Sequence, residues 1–582
     1  MKILLTTLNA KYVHTALGLW YIYQYCHPEY PELMFKEYNI NQELSWVCGE
    51  LYLEKPKAIA FSCNIWNIEA TLTICRWLKQ VEPEITVVLG GPEVWSEPVA
   101  IMEQNPAVDF IIVGEGELTF KEWLDHFHRT NPDWKRVKGL VFRTTDGIVQ
   151  NELRPDISDL SILPRPYPEE LSDFRQKLLY YETTRGCPYQ CQYCLSANEK
   201  GVRYFPLEQV KNDLLHFINS KIAQVKFVDR SFNCNPKWAK EIWRFLLEHP
   251  GETNFHFEVV ADLLDEESIA ILQQAPPGAF QFEIGVQSTN PETIRLIQRK
   301  MDFSKLAANV TKLVQTTNVF IHLDLIAGLP AEDYASFKRS FNETIQLRPH
   351  RLQLGFLKLL KGSGLRNKIS EYRYEFTQES PYEILSNQWI SYQEILKLKT
   401  IEDLLEKYYN SGRFKLSLEY LFSQFESAFD LFEQFADWWK ARQYDQFSHK
   451  SKDLYGYLLQ FYESLGKDSL VFRNLLKYDL LTQERMVELP EWTGGIASEL
   501  KNFGYEFWKD PTNIEKYIPE LSGLSIRDIQ RRVLFADFAF DPIQVKLQPW
   551  LEPEQDRTVI LFVYGKNIRN YRIETTVKSG RM

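Results

Sequence analysis

Three of the eight cysteines in this 582-residue chain fall within eight residues: Cys187, Cys191 and Cys194, spaced C-x3-C-x2-C. Three thiolates on one short loop can hold three irons of a [4Fe–4S] cluster, which leaves the fourth iron open to a small molecule. Zinc is the other thiol-rich option, but a structural zinc site is closed by four ligands. No fourth Cys or His lies on this loop. Gly186, Pro188, Gln190 and Gln192 make the segment a poor core strand. The other five cysteines (Cys26, Cys48, Cys63, Cys75 and Cys234) are scattered and read as small buried hydrophobes. Since no Cys follows Cys234, no auxiliary cluster is expected.

The loop must be held by something rigid. It follows a strand-like run, Leu178–Thr183, which begins a β/α series ending near Lys361. Further strands are expected at Val225–Asp229, Phe255–Ala261, Phe280–Val286, Phe320–Ile326 and Leu352–Leu359. Helices such as Leu207–Ile218 and Pro236–Leu247 fill the gaps, the second opening on a first-turn proline. Six such units predict a partial (β/α)6 barrel over 176–375, with its chemistry at the strand C-termini. Residues 1–135 alternate in the same way: strands Lys2–Thr6, Phe35–Ile40, Ala58–Cys63, Ile85–Leu89 and Val108–Val113, with glycines at strand ends. That pattern predicts an open, parallel, doubly wound α/β sheet. Residues 136–175 hold a hairpin about Asp146-Gly147 and a linker marked by Pro155, Pro164, Pro166 and Pro168. Residues 376–582 read as a mostly α-helical region with aromatics at core spacing (Trp389, Tyr392, Tyr408, Tyr409, Phe422, Trp438, Trp439 and Phe461). Three terminal strands are expected in it, Ile543–Leu547, Thr558–Tyr564 and Tyr571–Val577.

A C-x3-C-x2-C loop on the first strand of such a barrel resembles the radical S-adenosylmethionine (SAM) superfamily, and Tyr193 fills the aromatic place before the third cysteine. Phe282–Ser288 resembles the fourth-strand motif of that superfamily and His322–Pro330 the fifth. Arg299, twelve residues after Gln287, sits as in the oxygen-independent coproporphyrinogen oxidase group. The resemblance implies a cluster on Cys187, Cys191 and Cys194, and SAM contacts from Tyr181, Glu258, Gln287, Arg299 and Asp324. An arginine suits the SAM carboxylate, and acids or amides suit its hydroxyls and amino group. One departure stands out. The second strand usually ends in a glycine-rich stretch with an acid, but here it reads Val228-Asp229-Arg230-Ser231. Asp229 is left to do part of that work, and Arg230 removes the freedom a glycine would give.

The preceding domain is similar to the cobalamin-binding domains of the B12-dependent radical SAM class, through Leu89–Pro92 and Val113–Glu117. The resemblance implies cobalamin against Gly90, Gly91, Gly114 and Gly116, with Ser62 and Asn64 near its tail. The D-x-H-x-x-G loop that supplies an axial histidine in cobalamin mutases is absent, because His14 to Gly18 has the wrong spacing. No histidine is therefore expected on the lower face. The whole arrangement resembles B12-binding-domain radical SAM proteins whose helical C-terminal domain has no known function.

That family implies an enzyme that cleaves SAM at the cluster to give a 5′-deoxyadenosyl radical, with C-methylation as the candidate outcome. The alternatives are other radical SAM chemistry (methylthiolation or a rearrangement) on a scaffold domain without cobalamin, and an iron–sulfur or cobalamin sensor. The expected partners are an electron donor such as flavodoxin or ferredoxin and a small-molecule or peptide substrate. A net charge of −11 argues against a chain-wide grip on nucleic acid. No apolar run is long enough for a membrane span, the N-terminus lacks a signal-peptide core, and the sparse cysteines read as cytoplasmic.

Overall fold

The computed structural model describes the chain except for residues 200, 487, 548–552, 555, 566 and 574–582. It divides into two compact units. One comprises 1–349 with 354–395, and the other 350–353 with 396–582.

The first unit begins with strands β1 (Ile3–Asn9), β2 (Leu33–Asn39), β3 (Ala58–Ser62), β4 (Thr86–Gly90) and β5 (Phe110–Ile112). They pair in parallel in the order β2-β1-β3-β4-β5. Every residue of β1 is buried, as a strand covered by helices on both faces requires. The hairpin β6 (Leu140–Thr144) and β7 (Gly147–Gln150) joins the same sheet antiparallel to β5. It therefore extends the first domain, where the sequence placed it with the linker. Pairing is decided by open backbone groups on β5, which the hydrophobic pattern does not reveal.

The second sheet starts at β8 (Leu178–Tyr181). A short antiparallel pair follows, β9 (Thr184–Arg185) and β10 (Arg203–Tyr204), flanking the cysteine loop. Then come β11 (Gln224–Phe227), β12 (Asn254–Glu258), β13 (Phe280–Gln287), β14 (Phe320–Ala327) and β15 (Arg351–Phe356), in the order β15-β14-β13-β12-β11-β8. This is the six-stranded partial barrel expected. Its strands alternate strictly. In β13, Phe280, Phe282, Ile284 and Val286 are buried under the helices, and Gln281, Glu283, Gly285 and Gln287 take the other face. The inward face is polar. Lys226 Nζ lies 2.8 Å and His256 Nε2 3.0 Å from Glu283 Oε2, and His322 Nε2 lies 3.0 Å from Asp324 Oδ1.

The two sheets are joined by backbone and side chains. Leu178 N donates to Val13 O (2.7 Å), and His14 pairs with Leu178 as a parallel bridge. Tyr167 OH, from the proline-rich linker, donates to Tyr180 O at 2.7 Å. Beyond the barrel strands, a small antiparallel pair, β16 (Glu375–Phe376) and β17 (Ile384–Ser386), stays with the first unit. That unit thus runs past the expected boundary at 375. Tyr382 OH donates to Glu93 of the first domain, and Leu365 N donates to Gln192 O of the cysteine loop at 2.8 Å.

The second unit is mainly helical, with Tyr408, Trp439 and Phe461 buried as expected; Tyr392, which falls in the first unit, is exposed instead. It closes with an antiparallel sheet of β18 (Val533–Phe538), β19 (Thr558–Val563) and β20 (Arg569–Ile573). β18 falls where helix was expected. Conversely, Pro542–Leu547 is a helix where a strand was expected. Pro542 suits a helical first turn, and Asp541 Oδ1 accepts the Ile543 N–H at 2.9 Å. The expected strand Tyr571–Val577 is present to Ile573, and its remainder lies outside the described residues.

Candidate functional site

Strand parity decides which barrel residues meet. Glu258, Gln287 and Asp324 share the inward parity of His256, Glu283 and His322, and all three line one cavity of about 200 Å3 with Cys187, Cys191, Cys194, Tyr193 and Arg299. Tyr181 and Asp229 have the outward parity. Tyr181 is 1% exposed, packs against Phe217 and Phe227, and donates its hydroxyl to Asp213 Oδ2 at 2.9 Å. Asp229 is equally buried and accepts from Thr183 N (3.0 Å), Thr183 Oγ1 (2.6 Å) and Thr184 Oγ1 (2.7 Å). Neither lines the cavity. The structure does not bring these two expected SAM contacts to the cavity: Tyr181 fills the layer under a helix, and Asp229 holds the end of β8. The alternation that keeps Tyr181 from the cavity was readable in the sequence, since Tyr181 follows Leu179 by two.

The polar wall of this cavity is incompletely satisfied. Arg299 donates from Nη1 to Tyr193 OH at 3.0 Å and from Nη2 to Gly285 O, yet its Nε and the Oε1 of Gln287 are buried without a partner. Gln287 also has φ +69°, a left-handed conformation that costs a non-glycine residue about 1 kcal/mol or more. Orphaned donors and acceptors beside a strained backbone are what a polar ligand would complete. Burial pushes the Glu258 carboxyl up to about 7, with Lys226 and Arg230 pulling the other way. Cys191 is 7% exposed, and Ser231 Oγ lies 3.8 Å from Cys187 Sγ. Among the described residues no three His, Cys, Asp or Glu side chains close on one metal ion. A four-iron cluster does not require that, because each thiolate binds a different iron.

A second cavity, of about 300 Å3, opens at the C-terminal edge of the first sheet. Ser62, Gly90, Gly91, Gly114 and Gly116 all line it, with Leu5, Ala60 and Ile112 among its apolar wall. Two glycines serve different ends. A Cβ on Gly91 (φ +102°) would stand 2.6 Å from Cys63 O, so glycine is needed there by the fold itself. A Cβ on Gly114 (φ +87°) would meet nothing within 4 Å, leaving space that a flat ligand can take. His14 does not line this cavity and instead sits edge-on to Tyr180.

The wall shared with the barrel carries charges that the sequence reading did not single out. Arg185 is held by Glu115 (3.2 Å), Glu117 (2.6 Å) and Glu182 (2.8 Å), and Arg203 by Glu115 at 2.9 Å. Glu115 and Glu117 come from the glycine string of the first domain; Glu182, Arg185 and Arg203 flank the cysteine loop. Burial raises Glu182 to about 7 against the pull of Arg185. Arg230 lines both cavities.

Three family models match the chain in succession. The B12 binding domain model matches residues 3–124, the radical SAM superfamily model 181–343, and a protein of unknown function model (DUF4080) 370–562. The cobalamin-dependent radical SAM methyltransferase TokK of Streptomyces tokunonensis is 27% identical over 55% of this chain and 49% of its own. The 2-(S-pantetheinyl)-carbapenam-3-carboxylate methyltransferase of Streptantibioticus cattleyicolor is 26% identical over 51% and 46%. This chain thus spans about half the length of the curated relatives it matches. In fold it is similar to the radical SAM methyltransferase TsrM of Kitasatospora setae with cobalamin and a [4Fe–4S] cluster bound (TM-score 0.55, 17% identity, 64% of this chain and 78% of that one). The cofactors that belong to these two domains are a [4Fe–4S] cluster with SAM, and cobalamin. The chain is thus a B12-binding-domain radical SAM protein with a C-terminal domain of unknown function, similar to cobalamin-dependent radical SAM methyltransferases.

Proposed function

We propose that this protein is a cobalamin-dependent radical SAM methyltransferase that moves a methyl group to a carbon of its substrate. The observation that carries the reading is the meeting of two cavities: one lined by Cys187, Cys191, Cys194 and unsatisfied polar groups, the other by the glycine edge of the first sheet. When bound, the cluster supplies the electron that cleaves SAM to a 5′-deoxyadenosyl radical, and cobalamin supplies the methyl group. The chain's own residues bind and orient. Cys187, Cys191 and Cys194 hold three irons. Arg299 presents a guanidinium to the SAM carboxylate, with Tyr193 OH fixing its plane. Gln287, Glu258 and Asp324 take the hydroxyl and amino groups. Gly90, Gly91, Gly114, Gly116 and Ser62 seat the corrin and its tail. Among the described residues no histidine lines the first-domain cavity, so the groups that would hold cobalamin there are glycine backbone, Ser62 and apolar side chains.

The activity requires a reductant, for which flavodoxin or ferredoxin is the expected donor. No helix among the described residues is long and apolar enough to cross a membrane. Protein reconstituted anaerobically with iron, sulfide and cobalamin tests the reading. Reduction with dithionite in the presence of SAM should release 5′-deoxyadenosine, and the optical spectrum should show bound cobalamin. No 5′-deoxyadenosine from protein carrying a full cluster would overturn the radical reading. Absence of tight cobalamin binding would overturn the methyl-transfer reading.

A further inference from the structure

The arginines around the two cavities divide into two kinds. Arg185, Arg203 and Arg299 are each held by carboxylates, a hydroxyl or backbone carbonyls. The Arg230 guanidinium has no hydrogen bond or ion pair among the described residues, and the residue is exposed. Its backbone, in contrast, is firmly seated. The preceding residue, Asp229, is tied to Thr183 and Thr184. After it, Phe232 N donates to Glu258 O at 2.9 Å, and Asn233 exchanges two hydrogen bonds with Val260 (2.8 and 2.9 Å). Arg230 lies in the turn after β11, and among the described residues it is the one common to the linings of the two cavities.

A fixed backbone holds a cation without a direct partner where the linings of the two cavities share a residue. Glu199 and Glu258 lie close enough for their charges to interact with Arg230, but neither makes contact. A guanidinium left unpaired in a partly desolvated cavity matches a carboxylate or phosphoryl group, which it can bind through two parallel N–H donors. We infer that Arg230 anchors an anionic oxygen group, a carboxylate or a phosphoryl, on the substrate. The inference rests on the radical SAM reading above, and it makes the substrate an acid or a phosphate ester. The same chemistry exists in the SAM carboxylate, which Arg299, lining the same cavity, is proposed to take.

The experiment uses the full chain reconstituted with cluster and cobalamin, and has two arms. Phenylglyoxal, which adds to unpaired guanidinium groups, is followed at the Arg230 peptide by mass spectrometry with and without millimolar inorganic phosphate or acetate, against chloride at equal ionic strength. SAM affinity is measured in parallel for wild type and Arg230→Gln. The expected result is labelling of Arg230 ahead of Arg185, Arg203 and Arg299, slowed about threefold or more by phosphate or acetate, with SAM affinity in the variant within about twofold of wild type. Labelling that neither anion slows would overturn the inference. So would a loss of SAM affinity of about tenfold in Arg230→Gln, which would assign Arg230 to the SAM carboxylate. Because Arg230 is exposed and unbonded, the variant should retain its iron and its thermal midpoint. Release of 5′-deoxyadenosine by the same preparation keeps a failure here distinct from a failure of the radical reading.

Discussion

The two cavities of the first unit are built on opposite plans. The cavity at the sheet edge has most of its charges matched: Arg185 and Arg203 are closed off by Glu115, Glu117 and Glu182, Arg230 is the unpaired exception, and most of the remaining wall is apolar or glycine. The cavity at the cysteine loop leaves Gln287 Oε1 and Arg299 Nε unpaired, on a backbone bent out of its preferred region. A matched wall selects by shape, and mutations in it should act through volume. An unmatched wall selects by hydrogen bonds and charge, and mutations in it should act through the ligand's polar groups.

The largest effect expected is at the loop. Replacing Cys187, Cys191 and Cys194 together by Ala should remove all cluster iron, measured by iron content and the visible spectrum, and leave cobalamin retention unchanged. Retention of four irons by the triple variant would break the assignment. Next is the shape-selecting cavity. Gly114→Phe fills space that is open now, and should weaken cobalamin by about 100-fold or more, near 3 kcal/mol, without changing iron content. Third, Arg299→Ala removes a charge-assisted pair worth about 1.5–3 kcal/mol, so SAM affinity should fall about 10- to 100-fold by equilibrium binding.

A fourth effect separates the cavities by pH. Burial raises Glu258 from its ordinary value to about 7. A carboxyl raised by folding stabilises the fold below its unfolded value near 4.5, and that contribution is lost as pH climbs through 7. A cationic ligand beside it favours the ionised form. SAM affinity should therefore rise roughly tenfold between pH 6 and 8, and Glu258→Gln should flatten that rise. Cobalamin affinity, governed by shape, should hold level over the same range. The smallest effect expected is at His14. Its ring faces Tyr180, so His14→Ala should leave the cob(II)alamin spin spectrum unaltered, and nitrogen splitting lost in that variant would contradict the lower-face assignment.

Much of this site was legible in the sequence because the information is local. The cysteine spacing, the strand-end glycines and the inward positions Glu258, Gln287 and Asp324 each lie on one segment. Tyr181 and Asp229 do not join them: the two-residue alternation of β8 turns Tyr181 toward Phe217, and Asp229, past the end of β11, is taken up by Thr183 and Thr184. The charge net was hidden for another reason. Glu115 and Arg185 are seventy residues apart, and only the docking of one sheet on the other pairs them. In the C-terminal unit, β18 looked helical because its partner β19 lies some twenty residues further on, and strand pairing is a non-local property. The helix at Pro542–Leu547 was the converse case, where a local signal, Asp541-Pro542, should have outweighed the apolar run.

The bridge between His14 and Leu178 has a consequence for how the chain is made. β8 is the outer strand of an open six-stranded sheet, and an outer strand offers unpaired amides and carbonyls to any other chain. Here the Val13 carbonyl takes the Leu178 amide. During synthesis the first domain emerges before the barrel, so the cover for that edge is already in place when Leu178 appears. The first domain thus caps the start of that edge, and a barrel expressed from residue 176 onward would present the Leu178 amide unpaired.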